Sequence, residues 1–323
     1  MTAGYELLRM LLDGAPIQAE ALMQQLALDS ATLRDAVQQL REEGFAVAHM
    51  PDGAYLLPNP PRLLDAAQIE NELTAARVVA AGRLELLEVT GSTNEHLLRR
   101  PGSIHAFTCL AERQTAGRGR AGRSWQATPY GSILLSVGWE FGGATATMGA
   151  SLAAGVAAIR ALQQLGIEGV GLKWPNDLLA EGRKLGGILI DLRPPNAANI
   201  RGVVGLGLNV KMSSQTAADI DQPWADLAAL GHGAIDRSRL AAGIIVHLCR
   251  VLEQLADEGF AALREEWLSH HVYQNRSVVV SMTGESATGK AIGIDERGAL
   301  MLRDDTGGVR SVLAGDVSLR GAP

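Results

Sequence analysis

Hydrophobic positions in the first sixty residues recur at helical spacing and then switch to short runs broken by turn residues. Leu33, Val37 and Leu40 stand four and three apart behind Asp29 and Ser30. This pattern predicts a capped helix with one buried face, stopped by Gly44. Two shorter helices are expected before it, over 6–12 and 17–26. After it, Phe45–Val47, the turn Pro51-Asp52-Gly53 and Tyr55–Leu57 predict strand, turn and strand. Helix, turn, helix, hairpin is the order of a winged helix-turn-helix unit, expected over residues 1–60.

Pro58-Asn59-Pro60-Pro61 neither continues a ladder nor starts a helix, because each proline lacks a donor and restricts the residue before it, so a boundary is expected there. From 63 to 271 strands and helices alternate. Strands are expected near 84–89, 106–112, 132–139, 169–174, 186–192 and 202–209, and helices near 67–77, 93–99, 147–164 and 236–255. The two long helices carry core-facing stripes, Met148, Leu152, Val156, Ile159, Leu162 and Ile244, Leu248, Val251, Leu252, Leu255. This is a mixed α/β domain. Beyond Asn275, short runs at Val278–Val280, Ala291–Ile294, Leu300–Leu302 and Val309–Leu319, separated by Gly-rich turns, predict a small all-β barrel over 272–323. The chain is therefore expected to be an α+β multidomain protein.

Composition supports that division, since 323 residues exceed the size at which single cores stop growing, about 250–300. Hydrophobic content of 47% with 20% charged residues is ordinary for globular domains. No basic segment followed by an apolar core opens the chain. Arg160, His247 and Arg250 interrupt the long apolar runs short of the roughly 18 residues a bilayer needs, so a cytoplasmic protein is expected, with no membrane contact. Cys109 and Cys249 lie inside apolar runs without a neighbouring ligand set, which reads as two buried thiols and no metal site. The net charge of −6 is concentrated at the N-terminus, where three arginines face eight carboxylates and no lysine occurs in the first sixty residues. That charge balance opposes phosphate binding by the N-terminal unit.

The most informative stretch is Ala111 to Trp125, in which Gly117, Gly119 and Gly122 alternate with Arg118, Arg120 and Arg123 just after a strand. Glycines free the backbone to turn N–H groups toward an anion, and guanidinium forks suit phosphate or carboxylate. A solvated surface hairpin is the alternative, disfavoured by three arginines alternating with three glycines. The same glycines satisfy GxGxxG, with Glu140 near the place of a dinucleotide-binding acid, but Pro129 and Gly131 lead into another strand rather than a helix. A nicotinamide-dependent oxidoreductase is disfavoured on that ground. In Lys173-Trp174-Pro175-Asn176-Asp177, Lys173 reads equally as snorkelling to solvent or as a pocket cation. Arg183-Lys184 reads as a basic turn feeding a buried strand with Gly186 and Gly187. Gly205 and Gly207 interrupt a branched strand, where either a ligand or another element presses on the backbone. Ser92 or Thr93 serves as a helix N-cap, or joins Asn94 in binding a small polar ligand.

Taken in order, Ser92-Thr93-Asn94, Gln114 with the GRGRxGR loop, Lys173–Asp177, Lys184–Ile188 and Gly205–Asn209 resemble the signatures of the biotin protein ligase family. The likeness is to its bifunctional bacterial form, which doubles as the biotin operon repressor, and it spans essentially the whole chain. The resemblance implies biotin and ATP as substrates with Mg²⁺, biotinyl-5'-AMP as intermediate, and transfer to a lysine of the biotin carboxyl carrier protein of acetyl-CoA carboxylase. It implies an SH3-like C-terminal barrel and a homodimer when loaded with adenylate. It also implies operator DNA as a partner through Ser30, Arg34, Gln38 and Arg41. Ser92, Thr93, Asn94, Gln114, Gly117, Arg118, Gly119, Gly187 and Gly205 would contact biotin. Arg118, Arg120, Arg123, Trp125, Asn176, Lys184, Asn209, Trp224 and Arg320 would contact the nucleotide. Lys173, with Arg120, would be catalytic, stabilising charge as the carboxylate attacks the α-phosphate. The chain departs from the family at Gly131–Ser136, which lacks a common tyrosine, and at Ala121, where an arginine is frequent. A lipoate-type ligase and a ligand-sensing transcription factor without catalysis are the alternatives.

Overall fold

The structure is a computed structural model that describes residues 3–193, 200–282, 285–313 and 318–321. The N-terminal unit comprises α1 (Ala3–Met10), β1 (Ile17–Gln18), α2 (Ala19–Leu26), α3 (Ser30–Glu42), β2 (Ala48–His49) and β3 (Ala54–Leu56), its strands ordered β1-β3-β2. Asp29 caps α3 by accepting from Thr32 N at 2.7 Å, and that backbone hydrogen bond holds its carboxyl below the usual range. Leu33, Ala36, Val37 and Leu40 turn inward against Tyr5, Leu7, Leu8, Leu11 and Leu22. Two boundaries differ from the expected ones. Ile17–Gln18 pairs with Tyr55 and Ala54 as a strand instead of opening a helix. The hairpin strand starts at Ala48 rather than Phe45, because Val47 N bonds Phe45 O at 2.8 Å and compacts the chain there.

The central unit follows with α4 (Ala66–Ala76), β4 (Leu84–Thr90), α5 (Thr93–Arg99), β5 (Thr108–Gln114), β6 (Ser132–Phe141), α6 (Ala150–Gln164), β7 (Val170–Lys173), β8 (Asp177–Ala180), β9 (Arg183–Arg193), β10 (Ile200–Asn209), α7 (Ser214–Ala218), α8 (Arg237–Glu258) and α9 (Ala261–Ser269). Its seven-stranded sheet runs β4-β5-β6-β10-β9-β8-β7, with β4 and β5 parallel and the other pairs antiparallel. The apolar stripes of α6 and α8 pack on each other and into the core, and α5 contacts β5, β6 and β10. Met148 is a correction. The helix begins only after Gly149, whose φ of +74° breaks it, and leaves Met148 40% exposed outside the stripe. The stretch 145–164 is long and apolar enough to cross a membrane by composition, but 61% of its most apolar window is buried inside the protein, so packing accounts for the composition. Cys109 in β5 and Cys249 in α8 are buried and unbridged.

Beyond α9, β11 (Ser277–Met282), β12 (Glu285–Ile294), β13 (Leu300–Arg303), β14 (Val309–Val312) and β15 (Ser318–Gly321) form an antiparallel sheet ordered β14-β13-β12-β11-β15. Val278, Val280, Ala291 and Leu300 share one core with the central unit. Arg264 Nε donates to Ile294 O at 2.6 Å and Trp174 Nε1 to Gly298 O at 2.9 Å across the junction.

Candidate active site

The last residue of β5, the middle of β9 and β10 and the start of α5 meet under the arginine-glycine loop around a cavity of about 90 Å³. Its floor is polar and buried. Gln114, the last residue of β5, accepts from Thr93 N at 2.7 Å and from Thr93 Oγ1 at 3.0 Å. Gln114 thus performs the capping of α5, and Ser92, at the cap position, makes no side-chain cap bond. Ser136, on β6, lies 2.7 Å from Thr93 Oγ1 and donates to Asn94 Oδ1 at 2.6 Å. Asn94 Nδ2 donates to Leu189 O at 3.2 Å and to Asp191 Oδ2 at 2.9 Å. Thr93, Asn94, Gln114 and Ser136 therefore form one hydrogen-bonded unit.

Side chains explain the glycines of the strands. A Cβ on Gly205 would run into Asn94, and one on Gly207 would lie 2.7 Å from Trp125 Nε1. One on Gly187 would stand 3.3 Å from Trp125 Cζ3 and 3.6 Å from Lys184 Nζ. The bare backbone of β9 and β10 is the surface on which the indole lies. Trp125 Nε1 is buried without a hydrogen-bond partner.

The loop above is a tight hairpin. Gly119 N donates to Arg123 O at 2.6 Å, Arg123 N to Arg120 O at 3.2 Å and Trp125 N to Gly117 O at 2.9 Å. A Cβ on Gly117 would stand 2.8 Å from Trp125 O, so the closure needs glycine there, and Gly117 itself does not line the cavity. The amides of Gly119, Arg123 and Trp125 are engaged inside the loop. Arg118, Arg120 and Arg123 all line the cavity.

The two lysines separate. Lys184 is a strand residue of β9, not part of a turn, and it lines the cavity with its ammonium 5.6 Å from the Trp125 ring. Lys173 is not among the lining residues; it stands behind, 3.1 Å from Asp177 Oδ2, while Lys184 meets Asp177 Oδ1 at 2.7 Å. Burial pushes the Asp177 carboxyl up, but Lys184 and Lys173 together hold it below the usual carboxylate range. Asn176 lines the cavity and is fixed by donating to Ile188 O at 2.7 Å. Asn209 does not line it: its amide donates to Ala225 O at 3.1 Å and anchors the segment carrying Trp224. Trp224 bridges to Lys184 through the backbone, Lys184 N donating to Pro223 O at 2.9 Å, while nearby Gln222 reaches the cavity wall. The Arg320 side chain lies outside the described residues.

Ser136, Asp191 and the clamp role of Asp177 escaped the sequence reading. Asp191 was detectable as a carboxylate on the face of β9 shared with Gly187 and Leu189. On the N-terminal unit, Ser30, Arg34, Gln38 and Arg41 are exposed along α3. Arg41 Nε donates to Val47 O at 2.9 Å and Gln38 Nε2 to Glu42 Oε1 at 3.0 Å.

A polar-floored cavity beneath an arginine loop, on the face of a helix-flanked sheet, defines a domain suited to binding an anionic small molecule. Residues 86–209 match the model of the Biotin/lipoate A/B protein ligase family, and residues 274–320 that of the Biotin protein ligase C terminal domain. The chain is 36% identical over 99% of its length, and 98% of the relative's, to the bifunctional ligase/repressor BirA of Escherichia coli. It is 37% identical to the biotin–[acetyl-CoA-carboxylase] ligase of Mycobacterium tuberculosis over 73% of this chain and 88% of that one. A solved structure of a biotin protein ligase from Aquifex aeolicus superposes with a TM-score of 0.63 at 23% identity, covering 74% of this chain and 99% of that chain. This chain belongs to the biotin/lipoate A/B protein ligase family, and within it to the biotin protein ligases.

Proposed function

We propose that this chain is a cytoplasmic biotin protein ligase that condenses biotin with MgATP to biotinyl-5'-AMP and then passes the biotinyl group to one lysine of the biotin carboxyl carrier protein. The observation that carries this reading is the convergence of Arg118, Arg120, Arg123 and Lys184 on the cavity whose floor is Ser92, Thr93, Asn94 and Gln114. In the first step a carboxylate oxygen bonds to the α-phosphorus and pyrophosphate leaves. The reactants repel each other, so fixed cations have to offset that charge. Lys184, held on the cavity wall by Asp177, is the nearest candidate for the developing charge, and Lys173 acts behind it through the shared carboxylate. In the second step the carrier amine attacks the acyl carbon and AMP leaves. Trp125 and the closed loop keep water from the mixed anhydride.

Mg²⁺ would arrive as part of MgATP, held mainly by the phosphate oxygens. Ser92, Thr93, Asn94 and Gln114 place polar groups on the cavity wall for the ureido ring of biotin, which lipoate lacks; this favours biotin over the lipoate reading. The reading includes a winged helix-turn-helix domain at 1–60, a catalytic domain at 63–271 and an SH3-like barrel at 272–323. Repressor activity as an adenylate-loaded homodimer is part of the proposal. It is supported by the bifunctional name of the E. coli relative and the exposed polar face of α3, and opposed by the acidity of that unit. A gel shift on the chain's own upstream biotin-gene region at low and physiological salt decides the DNA question. For the enzyme, mass spectrometry of a biotin carboxyl carrier domain after incubation with the chain, biotin, ATP and Mg²⁺ should show one biotin-sized gain on one lysine. No gain, or equal pyrophosphate release with lipoate, refutes the assignment.

A further inference from the structure

Arg118, which lines the cavity, is already paired with a carboxylate, Asp191, which lines a neighbouring hollow under the same loop. We infer that Asp191 is the affinity-setting residue of the anion subsite: it holds Arg118 as an internal counter-ion, and the substrate anion must displace it. This rests on the ligase reading above. Asp191 lies on β9 opposite Val203 of β10, on the same face as the cavity residues Gly187 and Leu189. Its Oδ2 accepts from Arg118 Nη2 at 2.7 Å and from Asn94 Nδ2 at 2.9 Å.

The two donors differ in freedom. Asn94 is buried, with Ser136 and Leu189 O as further partners, so it fixes the carboxylate in place. The Arg118 side chain is 46% exposed on the loop and can exchange one anion for another. A carboxylate or phosphate that takes the Arg118 fork gives up part of its gain in replacing Asp191, and then faces that like charge within a hydrogen-bond length of the same guanidinium. Weakened anion binding also speeds departure of AMP after transfer.

Asp191→Asn removes the charge and keeps an oxygen for Asn94, so the floor stays intact. Tryptophan fluorescence of the full chain is titrated with biotin, with neutral biotinamide and with MgATP, for the wild type, Asp191→Asn, Arg118→Gln and the double variant. At low salt, Asp191→Asn is expected to tighten binding of one anionic ligand about fivefold, the scale of one partly exposed charge pair. The ligand that responds identifies the anion, biotin for a carboxylate subsite and MgATP for a phosphate subsite. Biotinamide affinity should stay level, and the gain should vanish in the Arg118→Gln background. Asp191→Ser, with thermal unfolding as a folding check, must reproduce the gain. The inference is overturned if neither anionic ligand binds more tightly, or if biotinamide tightens equally. Wild type that binds neither biotin nor MgATP refutes the ligase reading, and this inference with it.

Discussion

Gly205→Ala isolates the packing that holds the cavity floor. Gly205 sits in the middle of β10, paired with Ser136 on one side and Leu189 on the other. An added methyl would run into Asn94 Oδ1 and stand 2.9 Å from its Cγ. Asn94 cannot turn aside freely, because Ser136, Leu189 O and Asp191 hold both ends of its amide. Overpacking a core position costs about 1–3 kcal/mol. Losing one or two of the floor hydrogen bonds adds about 1 kcal/mol each, so a destabilisation of roughly 3 kcal/mol is expected. In a unit of about 200 residues that corresponds to roughly 6–12 °C in Tm. Biotin affinity should fall as well, because the displaced amide belongs to the floor.

The assay is thermal unfolding of the wild type, Gly205→Ala, Asn94→Ala and the double variant, with biotin titrations on each. Asn94→Ala clears the space the methyl needs, so the double variant should be more stable than the sum of the single losses by at least about 1 kcal/mol. Strict additivity, or an unchanged Tm for Gly205→Ala, would refute the argument that this glycine exists to seat Asn94.

Two further outcomes follow from the charged groups. Lys184→Gln should slow adenylate formation about 10²-fold in single-turnover pyrophosphate release, and Lys173→Gln no more than about tenfold, since only Lys184 lines the cavity; the reverse order would return the primary role to Lys173. His271 is buried on the Trp267 ring with Nε2 unpartnered, and burial pushes its imidazole down to about 4 from 6.5. Because the unfolded chain takes up a proton there that the folded chain refuses, stability should be full above pH 6.5. It should decline toward pH 4 by up to about 3 kcal/mol, visible as a falling Tm. His271→Phe should flatten that part of the profile, and an unchanged slope in the variant sinks the attribution.

The sequence made the site's composition legible but not its internal order. The GRGRAGR run announced a polar anion site because three arginines alternating with three glycines have few structural uses. It did not reveal that Gly117 serves loop closure, since that depends on Trp125 folding back eight residues later. Lys184 looked like a turn residue because Glu181-Gly182, both at positive φ, make a hairpin too tight for hydrophobic periodicity to register. For the same reason the four-residue β8 was visible only as an apolar run. Helix α9 was missed because it buries only Leu263 and Trp267, too few positions for a stripe. The long helices α6 and α8 were plain from their periodicity alone, apart from the position of Met148.

The proline run at 58–61 divides the chain covalently more sharply than energetically. Tyr130, at φ +58° just beyond the arginine loop, leaves its own domain and packs in the core of the N-terminal unit, 6.1 Å from the Tyr5 ring and 5.9 Å from Phe45. Arg113, next to Gln114 of the cavity floor, donates to Tyr5 Oη at 2.6 Å and to Glu43 at 2.8 Å. The stretch after the prolines is not a free tether. Arg237 donates to Arg62 O at 2.7 Å, and Glu112 accepts from Leu64 N at 2.5 Å, the two side chains forming a buried ion pair at 2.8 Å. Burial raises the Glu112 carboxyl while Arg237 opposes that shift, so the clasp depends on both partners staying charged and together. Cutting at the prolines would expose Tyr130 and strip Arg113 of Glu43 one residue from the cavity floor. The N-terminal unit is therefore part of what holds the cavity in shape, whatever it binds on its outer face.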